Sequence, residues 1–207
     1  VRNYGEAFKS RVVILLCLQY ALWSIGVYGF VMWLPSIIKQ APDMSIVVTG
    51  WLSAIPYVFA VIGMLAASYF SDKSLNRKVF VWPLLLVGAV AFYGSYLLGA
   101  SDFWFSFILL TIAGAAMYAP YGPFFAIIPE ILPANVTAGA MALINSFGAL
   151  GSFIGAFLVG RLNALTGDFG ASYIFMAGSL LISAVLTLIA VKGNSDIKKQ
   201  KLAGQIA

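Results

Sequence analysis

The sequence predicts an all-α membrane protein with six transmembrane helices. Of its 207 residues, 62% are hydrophobic and only 9% are charged, and the mean hydropathy is +0.97. A soluble domain carries roughly 25% charged residues. The apolar residues stand in six continuous runs without the in-out alternation of barrel strands, so helices rather than a β-barrel are expected.

Each of the six runs is long enough to cross a bilayer, which requires about 20 mostly apolar residues. We expect spans at roughly 12–38, 46–70, 79–100, 104–128, 137–165 and 172–191. Together they form one predicted transmembrane bundle over 12–191, between a polar leader at 1–11 and a tail at 192–207. The leader has no initiator Met and no evident signal peptide, so we expect a longer polypeptide.

The positions of Lys and Arg predict the orientation of the bundle. With six spans, ten of the twelve basic residues fall on one side, in the leader, the 71–78 loop and the tail. By the positive-inside rule that side is cytoplasmic, so both termini are expected on the cytoplasmic face of the inner membrane. The pI near 9.4 therefore reflects topology, and no basic stripe with interleaved aromatics indicates nucleic-acid binding.

The charged residues also exclude several classes of function. All seven acidic residues lie at or beyond predicted helix ends, so no carboxylate is expected at bilayer depth. The chain has no His and one Cys, and it contains neither an HExxH motif nor a phosphate-binding Gly-Lys-Ser/Thr loop. We therefore expect no enzyme activity, no metal site and no cofactor.

Uncharged polar and aromatic residues mark candidate binding positions in the first two spans. These are Gln19, Trp23, Tyr28, Ser53 and Tyr57. Gln19 and Trp23 stand at i and i+4, so an amide and an indole share one helix face. Near Ser53 and Tyr57, Pro56 frees a backbone carbonyl. The alternative is that the aromatic residues serve only as interface anchors or as packing within the bundle.

The fourth span is predicted to be interrupted. Its sequence AGAAMYAPYGPFFAIIPE (113–130) places Pro120 and Pro123 three residues apart, and Tyr118 and Tyr121 flank the first proline. Interrupted helices near the midplane often border binding sites in membrane proteins. A kink needed only for bundle curvature is the alternative.

The fifth span carries polar residues and glycines on one predicted face. Asn145, Gly148, Ser152 and Gly155 are spaced i, i+3, i+7 and i+10, and Gly151 forms a GxxxG step with Gly155. Such a step lets a neighbouring backbone approach closely. Asn145 is expected either to bind a ligand in a cavity or to hydrogen-bond a neighbouring helix.

Three stretches resemble the C-terminal six-helix half of a major facilitator superfamily transporter. The superfamily's loop motif resembles GMLAASYFSDKSLNRK (63–78), although this loop is one residue longer and Asn76 stands where the usual Gly falls. The motif's acidic and basic positions are matched in kind by Asp72, Lys73, Arg77 and Lys78. The resemblance implies that Asp72 and Arg77 help to hold one gate state.

The other two stretches resemble the anion:cation symporter family within that superfamily. The end of its seventh helix resembles YGFVMWLPSII (28–38), and its eleventh helix resembles GAMALINSFGALGSFIGAFLVGRLNALTG (139–167), with Asn145 at the family's Asn. The leader at 1–11 resembles the end of the family's central cytoplasmic linker. The eleventh-helix stretch looks most like sugar-acid transporters of the 2-ketogluconate type.

The resemblance implies symport of an organic anion, such as a hexonate or ketogluconate, with protons by alternating access. The implied partners are the anion, protons, the lipid bilayer and a missing N-terminal six-helix half that carries the proton-binding carboxylates. Substrate hydrogen bonds are expected from Gln19, Trp23, Tyr28, Ser53, Tyr57, Tyr118, Tyr121 and Asn145. The alternative is a non-transporting six-helix membrane module, or a half-size protein that acts as a homodimer.

Overall fold

The computed structural model describes residues 4–39, 41, 44–74, 76–99 and 102–191. The expected cytoplasmic tail at 192–207 lies outside these ranges. All regular structure within them is helical, so the predicted all-α class is confirmed.

Eight α-helices and one 3₁₀ turn follow one another in the described part of the chain. They are α1 (Tyr4–Lys9), α2 (Arg11–Ile38), α3 (Ile46–Ser74), the 3₁₀ turn (Arg77–Phe80), α4 (Trp82–Leu98), α5 (Phe103–Tyr118), α6 (Tyr121–Ile131), α7 (Ala134–Thr166) and α8 (Gly170–Ala190). The 3₁₀ turn continues into α4, and α5 and α6 follow each other as one span. Among the described residues this makes six stretches long and apolar enough to cross a membrane, which confirms the predicted number.

The predicted interruption of the fourth span is confirmed. The break between α5 and α6 falls at Ala119 and Pro120. Proline lacks the backbone N–H, so Pro120 cannot donate the hydrogen bond that would continue α5. The carbonyl of Pro120 then accepts the first hydrogen bond of α6, from the backbone N–H of Phe124 at 2.8 Å.

The turn after α6 is shorter than the gap between the expected spans at 104–128 and 137–165. Helix α6 passes through Pro129, and only Leu132 and Pro133 separate it from α7. Pro133 has extended backbone angles, and its carbonyl accepts from the backbone N–H of Thr137 at 3.1 Å. A proline inside a helix is tolerated where neighbouring elements of a bundle can pair the freed backbone groups.

Helix α2 is the centre of the bundle. It packs against α7 and α8, while α4 packs between α5 and α8, and α3 rests mainly on α5. In the most apolar stretch of each span, 61% of the residues of α2 are buried, but only 17% of those of α3 and 28% of those of α7. Helices α3 and α7 therefore present the most open faces of this bundle.

Lys78, in the 3₁₀ turn before α4, is hydrogen-bonded to the end of α8. The ammonium of Lys78 donates to the carbonyls of Leu188, at 2.9 Å, and Val191, at 2.6 Å. Carbonyls in the last turn of a helix have no intrahelical partner and carry the negative end of the helix dipole. Lys78 thus satisfies backbone groups that would otherwise be unpaired in this part of the structure.

Replacing Lys78 with Met is expected to destabilise the protein by about 1–2 kcal/mol, because a helix end loses both its hydrogen bonds and its compensating charge. The melting temperature of the full-length protein in detergent measures this loss. Lys39→Met is the matched control, since Lys39 is exposed. Equal melting temperatures for the two variants would contradict the capping role of Lys78.

Candidate functional site

Four of the predicted site residues form a continuous row of aromatic rings, which we call the aromatic row: Tyr57, Tyr118, Tyr121 and Trp23. Ring centroids are 6.2 Å apart for Tyr57 and Tyr118, 5.7 Å for Tyr118 and Tyr121, and 4.4 Å for Tyr121 and Trp23. The row therefore joins α3, the α5–α6 break and α2. All three tyrosines are half-buried, so their rings are held by packing while part of each side chain stays accessible.

The middle of the aromatic row lies at the α5–α6 break. Tyr118 is the last residue of α5 and Tyr121 is the first of α6, and their rings stack with an angle of 26° between planes. In an unbroken helix, residues at i and i+3 lie on one face with their side chains a turn apart. Tyr118 and Tyr121 keep this relation across the two-residue break, and the ring of Tyr121 lies beside that of Trp23 of α2.

Trp23 is fully buried at the end of the aromatic row. Its indole N–H donates to the carbonyl of Met117 at 2.8 Å. Because Met117 lies in the last turn of α5, its carbonyl is among those that need a partner outside their own helix. The N–H that the sequence assigned to substrate binding is thus paired within the protein, and the ring itself is what Trp23 presents to Tyr121.

Gln19 is fully buried one helical turn before Trp23. Neither its side-chain nitrogen nor its side-chain oxygen has a hydrogen-bond partner among the described residues. Its backbone carbonyl accepts from the hydroxyl of Ser183 on α8 at 2.9 Å. A buried amide without a partner costs about 1–3 kcal/mol. Such an amide requires a physical reason, and binding is one of the known reasons.

The other predicted binding residues differ in exposure and in hydrogen bonding. The hydroxyl of Ser53 donates to the Thr49 carbonyl of its own helix at 2.7 Å. Tyr28 is 39% exposed. Asn145 is exposed and makes no side-chain hydrogen bond to any residue that the structure describes. Among the described residues, Asn145 therefore lacks the hydrogen bond to a neighbouring helix that was the alternative to ligand binding.

The glycines of α7 face α2 rather than an open cavity. A Cβ added at Gly151 or Gly155 would overlap the backbone carbonyl oxygens of Ala21 and Ile25, respectively, and one added at Gly148 would overlap the ring of Tyr20. The hydroxyl of Ser152 donates to the Gly148 carbonyl at 2.9 Å within α7. These small residues let the backbones of α2 and α7 touch, as the GxxxG spacing predicts.

The predicted gating residues form an ion-pair cluster at one end of the bundle. Arg77 contacts Asp72 at 2.5 Å through Nη1 and Glu130 at 2.6 Å through Nε. The cluster joins α3, the 3₁₀ turn and α6. From the sequence, Glu130 falls just beyond the expected span at 104–128, and no role was predicted for it. A clue to this contact in the sequence is that Glu130 falls on the same predicted side of the membrane as the basic 71–78 loop.

Tyr20 lies beside the aromatic row, and its sequence position alone predicted no role for it. Its ring stacks on Phe124 with centroids 5.3 Å apart and lies 5.5 Å from the ring of Trp23. The ring also fills the space above Gly148 of α7. Tyr20 therefore contacts both the glycine face of α7 and the aromatic row.

The chemistry of the aromatic row is that of binding. It offers apolar ring faces together with three hydroxyls, each of which can donate and accept a hydrogen bond. The row contains no carboxylate, Lys or Arg. Such a surface suits a solute that carries several hydroxyl groups or a flat ring, and any charge on that solute needs a partner from elsewhere.

Known proteins are similar in sequence to most of this chain. The model of the Major Facilitator Superfamily matches residues 12–205. A putative tartrate transporter of Agrobacterium vitis is 33% identical over 193 residues, which cover 93% of this chain and 42% of that protein. A quinolone resistance transporter of Acinetobacter baumannii is 32% identical, over 96% of this chain and 45% of that protein. Both are named as transporters rather than enzymes.

A solved structure agrees on the fold. The Escherichia coli fucose:proton symporter FucP superposes with a TM-score of 0.79 at 13% sequence identity, over 91% of this chain and 45% of FucP. The chain spans about half the length of the curated relatives it matches.

Proposed function

Because this chain belongs to the Major Facilitator Superfamily, we propose that it forms the C-terminal six-helix half of a secondary active transporter. The half-length match to its relatives supports a second bundle of similar size, formed by the N-terminal part of the same polypeptide. The two bundles would rock against each other around a midplane site, which is how alternating access works in such folds. The open faces of α3 and α7 suit contact with the second bundle.

The proposed substrate is an organic acid that carries several hydroxyl groups, such as a sugar acid. The A. vitis relative is named for tartrate, which is a small hydroxylated dicarboxylate. The hydroxyls of Tyr57, Tyr118 and Tyr121 match the hydroxyl groups of such a solute. The carboxylates of the substrate would be bound by basic residues of the N-terminal bundle, because the aromatic row holds none.

The observation that carries the proposal is the aromatic row at the α5–α6 break. A discontinuous helix near the bilayer midplane is where secondary transporters bind their cargo. A quinolone is the competing cargo, because the A. baumannii relative is named for quinolone resistance and flat rings stack on aromatic side chains. The hydroxyls of the row favour the polyhydroxylated acid.

Proton coupling and orientation are further parts of the proposal. No carboxylate lies at bilayer depth in the sequence, so the proton-binding acids would belong to the N-terminal bundle. The distribution of basic residues supports a cytoplasmic position for the Arg77 cluster, the leader at 1–11 and the tail at 192–207. In this orientation Asp72, Arg77 and Glu130 would close the cytoplasmic end of one transport state.

Uptake by the full-length protein in proteoliposomes tests the cargo. We expect accumulation of tartrate, glucarate, gluconate or 2-ketogluconate, with faster uptake when the outside is acidic. Transport of a fluoroquinolone without any sugar acid would contradict the substrate class. Equal uptake with and without a pH gradient would contradict proton coupling. Uptake by this chain alone, reconstituted as a homodimer, would contradict the need for an N-terminal half.

Replacing Asn145 with Ala is expected to raise the substrate Km about tenfold, because one hydrogen bond to substrate is worth about 1–1.5 kcal/mol. Uptake kinetics of the full-length transporter measure the change. Ser146→Ala is the control, since Ser146 is the exposed neighbour and its hydroxyl donates to the Ala142 carbonyl at 2.9 Å within α7. Unchanged Km and turnover in Asn145→Ala would exclude a binding role for the amide.

A further inference from the structure

A cavity lies apart from the aromatic row. It is a groove of about 770 Å³ between α3, the 3₁₀ turn with the start of α4, and α5. Its walls are formed by apolar side chains, among them Ile55, Phe59, Phe70, Phe80, Pro83 and Phe107. Thr111 is the polar residue of the lining, and its hydroxyl donates to the Phe107 carbonyl at 2.9 Å. The groove therefore offers hydrocarbon contacts and no free hydrogen-bonding group.

The groove faces away from the proposed transport site. On an α-helix each residue is turned by 100° from the last, which puts Tyr57 roughly 150° around α3 from the side that carries Phe59 and Phe70. Tyr57 belongs to the aromatic row, and the second bundle is expected on that side. The groove is thus on the side of α3 away from the expected second bundle, where we expect lipid.

The dimensions of the groove suit an acyl chain. Its lining on α3 runs from Ile55 to Phe70, which corresponds to about 22 Å of helix. One leaflet contributes roughly 15 Å of the hydrocarbon core. The small side chains of Ala66, Ala67 and Ala115 form part of its lining and leave room between the three helices. A single chain from one leaflet can therefore lie along about two thirds of the groove.

A lysine stands at the end of the groove that carries the basic loop. Ala66, Phe70 and Lys73 are spaced i, i+4 and i+7, so Lys73 continues the groove side of α3 beyond the last apolar lining residue. Lys73 is exposed and forms no ion pair with any residue that the structure describes. The neighbouring basic residues are engaged, Arg77 with two carboxylates and Lys78 with the end of α8.

We propose that this groove is a binding site for an anionic phospholipid. One acyl chain lies between α3, α4 and α5, and the headgroup phosphate meets the ammonium of Lys73. An apolar channel that ends at an unpaired positive charge complements a lipid with a hydrocarbon chain and an anionic head.

Native mass spectrometry of the full-length protein, titrated with phosphatidylglycerol and with phosphatidylcholine of the same acyl chains, tests the site. Lys73→Gln is expected to weaken phosphatidylglycerol binding about fivefold and to leave phosphatidylcholine binding unchanged. Ala66→Phe fills the groove and is expected to weaken binding of both lipids. Two controls are expected to change neither: Lys39→Gln, at an exposed lysine, and Val185→Phe, at an exposed position of α8.

Equal binding of the two lipids to the unmodified protein, unaffected by Lys73→Gln, would overturn the headgroup assignment. Unchanged lipid binding in Ala66→Phe would overturn the groove as the site. Benzoylphenylalanine incorporated in place of Phe70, an aromatic residue of the lining, tests which molecule fills the groove without adding a ring at a small lining residue. An adduct with the mass of a phospholipid after illumination supports the proposal. A cross-link to another segment of the polypeptide overturns it.

Discussion

Replacing Gly151 or Gly155 with Ala is expected to destabilise the protein by about 3 kcal/mol. In each case the new Cβ would overlap a backbone carbonyl oxygen of α2, that of Ala21 or that of Ile25. A side chain could rotate away, but a backbone oxygen held within a helix cannot, so α2 and α7 must move apart. The melting temperature of the full-length protein in detergent is expected to fall by roughly 6–12 °C.

Gly178→Ala is the matched control for this prediction. Gly178 lies inside α8, and a Cβ added there meets no atom within 4 Å. The substitution is expected to be neutral or slightly stabilising, because Ala favours a helix by up to about 1 kcal/mol over Gly. If Gly151→Ala and Gly155→Ala melted at the same temperature as Gly178→Ala, the close contact of α2 and α7 would be wrong.

Replacing Trp23 with Ala is expected to cost about 3–5 kcal/mol, since the largest fully buried side chain of α2 is removed and a cavity remains. Trp23→Phe separates the two contributions of this residue. It keeps a ring against Tyr121 but leaves the Met117 carbonyl without its donor, for an expected cost of about 1–3 kcal/mol. Thermal unfolding of the full-length protein measures both losses.

Trp104→Ala serves as the comparison, because Trp104 is 61% exposed at the start of α5. It is expected to change the melting temperature far less than Trp23→Ala. A Trp23→Ala protein as stable as Trp104→Ala would show that the α5–α6 break does not depend on the indole. In transport assays, a Trp23→Phe variant is expected to bind substrate less tightly, because the Met117 carbonyl next to Tyr118 loses its hydrogen-bond donor.

The number of spans and the break in the fourth one were predictable because both depend on local properties. Transfer of about 20 apolar residues from water to lipid decides where a span lies, whatever its neighbours. A proline removes a backbone donor wherever it stands, and Pro120 ends α5 for that reason. The spacing of Gly151 and Gly155 likewise predicted a close contact with another helix, although it did not identify that helix.

The partner of each side chain was not predictable in the same way. These helices are apolar on nearly all sides, so periodicity does not distinguish a face toward the bundle from a face toward lipid. The sequence therefore grouped Gln19 with Trp23 and did not show that the indole N–H is already paired with Met117, 94 residues away. It also left open whether Glu130 meets Arg77, since that contact joins elements 53 residues apart.

By itself, the amino-acid sequence determined that this chain is a bundle of six membrane helices, where its fourth span breaks and which residues are candidates for binding. Those features follow from partition into lipid and from the covalent chemistry of Pro and Gly, which act within a few residues. Only the tertiary structure decided which candidates meet. It assembled the aromatic row, directed the α7 glycines onto α2 and left Asn145 exposed, because packing between apolar helices depends on shape that no single helix carries.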